Sequence, residues 1–159
     1  MIREYREDDA AAVRGCIVEL QEFERRIDDR LRPGQSMAAG HLAQILDRCR
    51  EYAGTILVAE CGGAIAGFAA VLTRVPFEAL DDPPGEYAVV TDLVVREGFR
   101  RRGLGAALLR EAERYAGAAG AAELRIAVLS ANESAARLYR STGFAPYSET
   151  LAKRLDSPA

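Results

Sequence analysis

Residues 88–118 read AVVTDLVVREGFRRRGLGAALLREAERYAGA. Ala88, Val89, Val90, Leu93, Val94 and Val95 form a nearly continuous apolar run, the pattern of a strand covered on both faces. From Leu104 the period changes, and Leu104, Leu108, Leu109, Ala112 and Tyr115 recur at helical spacing. Between the two, Arg96 to Gly105 holds four arginines and three glycines. The stretch predicts a central buried strand, a basic glycine turn and a long amphipathic helix, with the chemistry at their junction.

The turn suits an anion. Gly103 and Gly105 lack a Cβ, so the backbone can approach a ligand and take geometries closed to other residues. The first amides of a helix have no intrahelical acceptor and lie at the positive end of its dipole, where phosphate oxygens fit. Arg96, Arg100, Arg101 and Arg102 add charge at the rim, which points to a polyphosphate. Three phosphate-cradling patterns compete. A P-loop is rejected, because Gly98 and Gly103 have the glycine spacing but Leu104 and Gly105 stand where a lysine and a hydroxyl residue belong. A dinucleotide fingerprint is incomplete, with Leu108 at its third glycine. The third pattern is Gln or Arg, two residues, Gly, one residue, then Gly or Ala, and Arg100-Arg101-Arg102-Gly103-Leu104-Gly105 meets it.

On these residues the chain resembles the GNAT superfamily of acyl-CoA-dependent N-acetyltransferases, whose strand, turn and helix are matched in order by DLVV, REGFRRRGLG and AALLREAERYA. A second stretch, VLSANESAARLYRSTGF at 128–144, is similar to a later signature of the family. The specific matches lie between Asp92 and Phe144; before Glu86 only the order of elements agrees. The resemblance implies an α/β fold with a mixed, mostly antiparallel central sheet flanked by helices and a splayed central strand pair. It also implies one domain over residues 1–159 and an enzyme that moves an acetyl group from acetyl-CoA to an amine by direct attack.

The same resemblance assigns roles. Leu93, Val94 and Val95 would lie along the pantetheine arm, with backbone groups of Leu93 and Val95 pairing to it. Arg100, Arg101, Arg102, Gly103, Leu104, Gly105 and Ala106 would surround the diphosphate, held by the amides from Arg101 to Ala106. Asn132 would orient the arm or a water, and Tyr139 would be the general acid. The base differs among family members and is often a water chain; by its place on the strand Asp92 is the candidate here, with Glu86 at the start of the same strand as the other carboxylate and a structural or capping role as the alternative. No metal is implied, the acceptor is an amine-bearing small molecule or protein, and a homodimer is common in the family. Two other classes fit the turn: an acyl-CoA-binding sensor or partner-binding module without turnover, and a nucleotide-binding regulatory domain.

Composition narrows the field. The chain has 159 residues, 49% of them hydrophobic and 28% charged, which is globular rather than disordered. A net charge of -3 argues against nucleic acid as partner, although the turn is locally basic. Cys16, Cys49 and Cys61 are odd in number, widely spaced and without a C-x-x-C pair, so they read as free thiols. With His41 as the only histidine, a zinc cluster or a Ser/His or Cys/His pair has little support; His41, which like Tyr52 lies on or beside the second helix, reads as a partly exposed structural residue, with a substrate contact as the alternative. No apolar run approaches a membrane span, and MIREYRED does not read as a signal peptide, so a cytoplasmic, non-membrane protein is expected.

Along the rest of the chain, Ile2 to Tyr5 reads as a short strand. Asp8 or Asp9 caps a helix with Val13, Ile17, Leu20, Phe23 and Ile27 inward. Pro33-Gly34 breaks the chain and Ser36 caps a second helix with Met37, Leu42, Ile45, Leu46 and Cys49 inward. Thr55–Glu60 and Ala64–Val75 flank Cys61-Gly62-Gly63 as a hairpin. Pro76–Gly85 is an acidic, proline-rich connection that reads as a solvated loop; the resemblance implies that it borders the acceptor pocket, where Glu78, Asp81 and Asp82, with Glu86, would meet a cationic amine. Leu124–Leu129 reads as a buried strand, Asn132 begins a helix that Gly143 ends, and Ala145–Leu155 is expected to add one or two last strands.

Overall fold

The computed structural model describes residues 1–155. In chain order the elements are β1 (Ile2–Glu4), α1 (Ala10–Arg25), α2 (Gly34–Glu51), β2 (Thr55–Cys61), β3 (Ala64–Pro76), β4 (Glu86–Val95), α3 (Leu104–Ala118), β5 (Leu124–Ile126) and α4 (Glu133–Ser141). They form one five-stranded sheet in the order β1-β2-β3-β4-β5. The first three pairings are antiparallel and β4–β5 is parallel, so the expected mixed, mostly antiparallel sheet is present. No helix among the described residues is long and apolar enough to cross a membrane.

Each face of the sheet has its own core. Val13, Cys16 and Ile17 of α1 and Ala38, Leu42, Ile45 and Cys49 of α2 pack on Ile56, Val58, Phe68, Ala70, Leu72 and Val94. On the opposite face Leu108, Leu109, Ala112 and Ala116 of α3 cover Leu57, Ala59, Ala69, Val71, Ala88 and Val90. The helical stripes read from the sequence pack here, except that Phe23 is only partly buried outside both cores, under the Arg26 guanidinium, and Ile27 lies past the end of α1 and is exposed.

The capping differs from the expectation in two places. Asp9 stands at the N-cap of α1, but its carboxylate accepts from the Arg3 guanidinium (2.7 and 2.9 Å) and the Arg6 amide (2.8 Å) instead of capping the helix. An arginine fork outcompetes the helix amides for an acceptor. Helix α2 begins at Gly34, ahead of Ser36: the Glu22 carboxylate accepts the Gly34 amide at 2.7 Å, and the Ser36 hydroxyl donates to the Pro33 carbonyl.

Residues 145–155 form no strand, contrary to expectation; they run exposed beyond a β5 of only three residues. Pro146 has no N–H to give a ladder. The Tyr147 ring instead lies against the Arg125 guanidinium at 4.4 Å, which also sits over Tyr87 (4.6 Å) and Phe77 (5.2 Å).

Two irregularities in β4 prepare the site. Its pairing with β3 sets Val71 opposite Val90 and Ala70 opposite Asp92, which leaves Thr91 as an inserted residue, a β-bulge. Strict alternation would put Ala88, Val90 and Asp92 on one face. The bulge reverses the phase: Ala88 and Val90 face α3, whereas Val94, and with it Asp92, face α1 and α2. At the same point the other edge of β4 comes free, because its pairing with β5 stops at Val90–Ile126 while β4 continues to Val95. This is the expected splay of the central pair.

Candidate active site

Arg96 donates its amide to the Ala66 carbonyl of the β3 side at 2.9 Å. Backbone direction alternates along a strand, so the amides and carbonyls of Leu93 and Val95 point to the edge that β5 has left. Val94 belongs to the β3 ladder opposite Phe68, with its side chain in the core. Of the three strand residues expected along the donor, Leu93 and Val95 therefore present free edge groups and Val94 supports them from inside. The Val95 carbonyl already accepts from Arg100 Nε at 2.9 Å, leaving its amide.

Past Val95 the chain makes a short 3-10 turn over Glu97–Phe99 and enters α3 through two left-handed residues, Arg101 (φ 61°) and Gly103 (φ 76°). A non-glycine residue in that region is strained by about 1–3 kcal/mol. The first helical bond at this end runs from the Ala107 amide to the Gly103 carbonyl, 3.0 Å. Among the described residues no backbone carbonyl accepts from the six amides of 101–106. These are the groups a bound anion would satisfy.

The arginines are less free than the sequence suggests. Glu19 of α1 lies beneath the turn, accepting the Glu97 amide at 2.5 Å and approaching Arg96 (3.5 Å) and Arg100 (3.7 Å). Arg102 donates to the Gly98 carbonyl at 3.1 Å and packs on Phe99. Arg101 is exposed. Gly105 sits in the first turn of α3, where an added Cβ would meet Leu138 Cδ2 of α4 at 2.8 Å; its size sets the α3–α4 approach.

Asn132 caps α4, its Oδ1 accepting the Ala135 amide at 3.2 Å, and its side-chain NH2 has no partner among the described residues. Two turns on, Tyr139 packs against Phe144 with ring centroids 6.1 Å apart. Burial, and next the charge of Glu24, push its phenol up to about 12. Tyr139 is protonated at any physiological pH.

Asp92 does not stand alone on the α1/α2 face. Its Oδ1 lies 2.7 Å from Nε2 of His41. The Asp92 side chain is 8% exposed and that of His41 30%. Glu24, on the last turn of α1, faces the same place: burial raises its pKa first, the Asp92 charge second. Glu86 lies six residues back along β4, about 20 Å at strand rise, and pairs with Arg74 at 3.1 Å. The structure thus brings Asp92 together with His41 and Glu24 and keeps Glu86 out.

The sequence offers His41 only as an alternative substrate contact and does not mark Glu24, yet a signal for both was present. Glu24 continues the stripe Val13, Ile17, Leu20 at helical steps, and His41 lies between Ala38 and Ile45 on the inward side of α2. Ionisable groups on apolar stripes are rarely there for packing.

Comparisons with known proteins agree with this geometry. The BH1408 protein of Bacillus halodurans, as a tetramutant, superposes with a TM-score of 0.84 at 21% identity, covering 98% of this chain and 99% of its own. The aminoglycoside N-acetyltransferase AAC(6')-Iy, in complex with the bisubstrate analogue CoA-S-monomethyl-acetylneamine, gives 0.70 at 17% identity over 99% and 98%. The aminoglycoside 6'-N-acetyltransferase AAC(6')-IG of Acinetobacter haemolyticus gives 0.69 at 17% over 98% and 99%. At these identities the likeness is one of fold. No curated protein matches the chain by sequence. A family model does, over residues 17–144, a span running from the inner face of α1 to the phenylalanine beneath Tyr139, and on that match the chain belongs to the acetyltransferase (GNAT) family.

Proposed function

We propose that the protein transfers an acetyl group from acetyl-CoA to a primary amine by direct attack, with Tyr139 as general acid. The observation that carries this reading is the junction at the end of β4: a free strand edge at Leu93 and Val95 leads straight into six amides without acceptors at 101–106. A ligand with an extended amide-bearing arm and a diphosphate at its end fits both halves. Acetyl-CoA, as donor, supplies the activated thioester. The amides of 101–106 hold phosphate oxygens, and Leu93 and the Val95 amide pair with the arm.

The transfer forms a C–N bond and breaks the C–S bond. An acceptor that arrives as an ammonium loses two protons; the sulfur gains one and the other leaves to solvent. At about 12, Tyr139 is a weaker acid than a thiol at about 8.5. Its first contribution is therefore a hydrogen bond to the sulfur as charge develops, and its proton passes over as another is returned to the phenol. The AAC(6')-Iy complex makes a polyamine-like acceptor a reasonable probe.

The test is CoA thiol release from acetyl-CoA with neamine, spermidine or a lysine-bearing peptide. Tyr139→Phe is expected to lower turnover by about 10²–10⁴-fold with acetyl-CoA binding retained. Undiminished turnover removes Tyr139 from the chemistry. Binding of acetyl-CoA with no release from any acceptor overturns transfer in favour of an acyl-CoA-binding module.

A further inference from the structure

Asp92 of β4 and His41 of α2 meet below the bulge, on the face of the sheet opposite α3, and the charge of Glu24 on α1 acts on both. The carboxylate is the acceptor of this pair, so the His41 tautomer that donates Nε2–H to Asp92 keeps its lone pair on Nδ1. Among the described residues Nδ1 has no hydrogen-bond partner. The buried member of the pair is the carboxylate, and the more exposed member is the imidazole. A fixed carboxylate thus orients a ring whose other nitrogen is open to an incoming group, the arrangement a general base requires.

We propose that His41 is the general base that takes the proton of the acceptor ammonium at Nδ1, with Asp92 as the positioning residue that holds Nε2 and Glu24 as the carboxylate that meets the acceptor's charge. The inference rests on the transfer reading above and deepens it. It moves the base from Asp92, whose Oδ1 is engaged, to the ring beside it. The proton goes from the acceptor nitrogen to Nδ1, leaving an imidazolium paired with Asp92 and a neutral amine; His41 then returns the proton to solvent.

The surroundings support a base that works near neutrality. Asp92 raises the His41 pKa above its ordinary 6.5, burial opposes this, and Glu24 adds a smaller upward push. The other titratable groups that face the cluster are uncharged: Cys49 of α2 is pushed up to about 11 and Tyr139 of α4 to about 12, each mainly by burial. Among the described residues the charges that act on His41 are two carboxylates. The sign follows: His41 is protonated and inactive at low pH, and activity appears as pH rises through a midpoint above 6.5.

His41 is the only histidine, so its imidazole gives a single NMR signal whose titration can be set beside the pH profile of kcat/KM. With the amine among the three probes that turns over best, the limb of the wild-type profile should coincide with the NMR midpoint. His41→Gln should lose that limb and about 10²–10⁴-fold in kcat/KM, while acetyl-CoA affinity stays unchanged. Asp92→Asn should move both midpoint and limb to lower pH, as should Glu24→Gln by less; the limb due to the acceptor's own ammonium is common to all. An active enzyme whose limb survives His41→Gln, or whose NMR midpoint lies away from the limb, overturns this proposal alone. A wild-type protein inert toward all three amines overturns the transfer reading and this proposal with it.

Discussion

Replacing Gly67 by alanine tests the architecture at the point where fold and site meet. Gly67 lies in β3 opposite Val95, and a Cβ there would stand 2.2 Å from the Val94 carbonyl oxygen and 3.1 Å from the Val95 Cα. A carbon–oxygen contact needs about 3.3 Å, so β4 must shift by about 1 Å. Overpacking normally costs about 1–3 kcal/mol. Here the obstacle is backbone in the buried middle of the sheet, with no rotamer to relieve it, so the upper end applies. At about 2–4 °C per kcal/mol for a chain of this size, Tm should fall by about 6–12 °C. The atoms displaced adjoin Leu93 and Val95, so acetyl-CoA affinity, measured calorimetrically below the melting range, should fall as well. A Leu42→Ala control, destabilised by about 2–5 kcal/mol in α2, should keep that affinity. Gly105→Ala offers a contrast, since its 2.8 Å obstacle is a methyl of Leu138 that can rotate; its Tm should move by a few degrees at most. A Gly67→Ala protein melting within 2 °C of wild type, with unchanged affinity, would refute the reasoning.

Three further outcomes follow from the structure. The Arg3 pairing and the Arg6 amide hold the Asp9 carboxyl below its ordinary value, so it contributes stability above its unfolded pKa that is lost as pH falls through the folded one; in Asp9→Asn, acid melts should show a shallower loss of stability below about pH 4. Burial pushes Cys16 and Cys49 up to about 11, and a bulky disulfide reagent at pH 8 should titrate Cys61 in the native protein and the other two only on unfolding. Arg125→Ala removes the cation that Phe77, Tyr87 and Tyr147 surround; limited proteolysis should then cut the 77–85 loop and the segment after Tyr147 faster, with about 1–2 kcal/mol lost overall.

The strand, turn and helix from Ala88 to Ala118 were legible because the apolar period changes within a few residues, and because amides at a helix start can be placed from sequence alone. The Cys61–Gly63 hairpin was legible for a similar reason: Gly62 and Gly63 both take positive φ, 59° and 79°, which few residue pairs tolerate. The bulge was not. Thr91 is an ordinary strand residue, and its insertion appears only once Val71 and Ala70 are known to oppose Val90 and Asp92. Without it the side of the sheet that Asp92 faces is undetermined, and so is its pairing with His41, 51 residues away in sequence. The missing strands at 145–155 have a similar origin: alternation there is compatible with a strand, but a strand needs a neighbour, and β5 is too short to offer one.

Most changes that disable such a site replace a side chain; the inserted threonine points to one that would act through length alone. Deleting Thr91 leaves Asp92, Leu93 and Val94 on their present faces, because an inserted residue and a reversed phase cancel. What the shorter strand loses is the local twist and the early parting from β5. The deletion variant would keep every ionisable group on its side of the sheet while closing the gap into which the donor threads in the function we propose. It would separate, in a single molecule, the geometry that admits one substrate from the chemistry offered to the other.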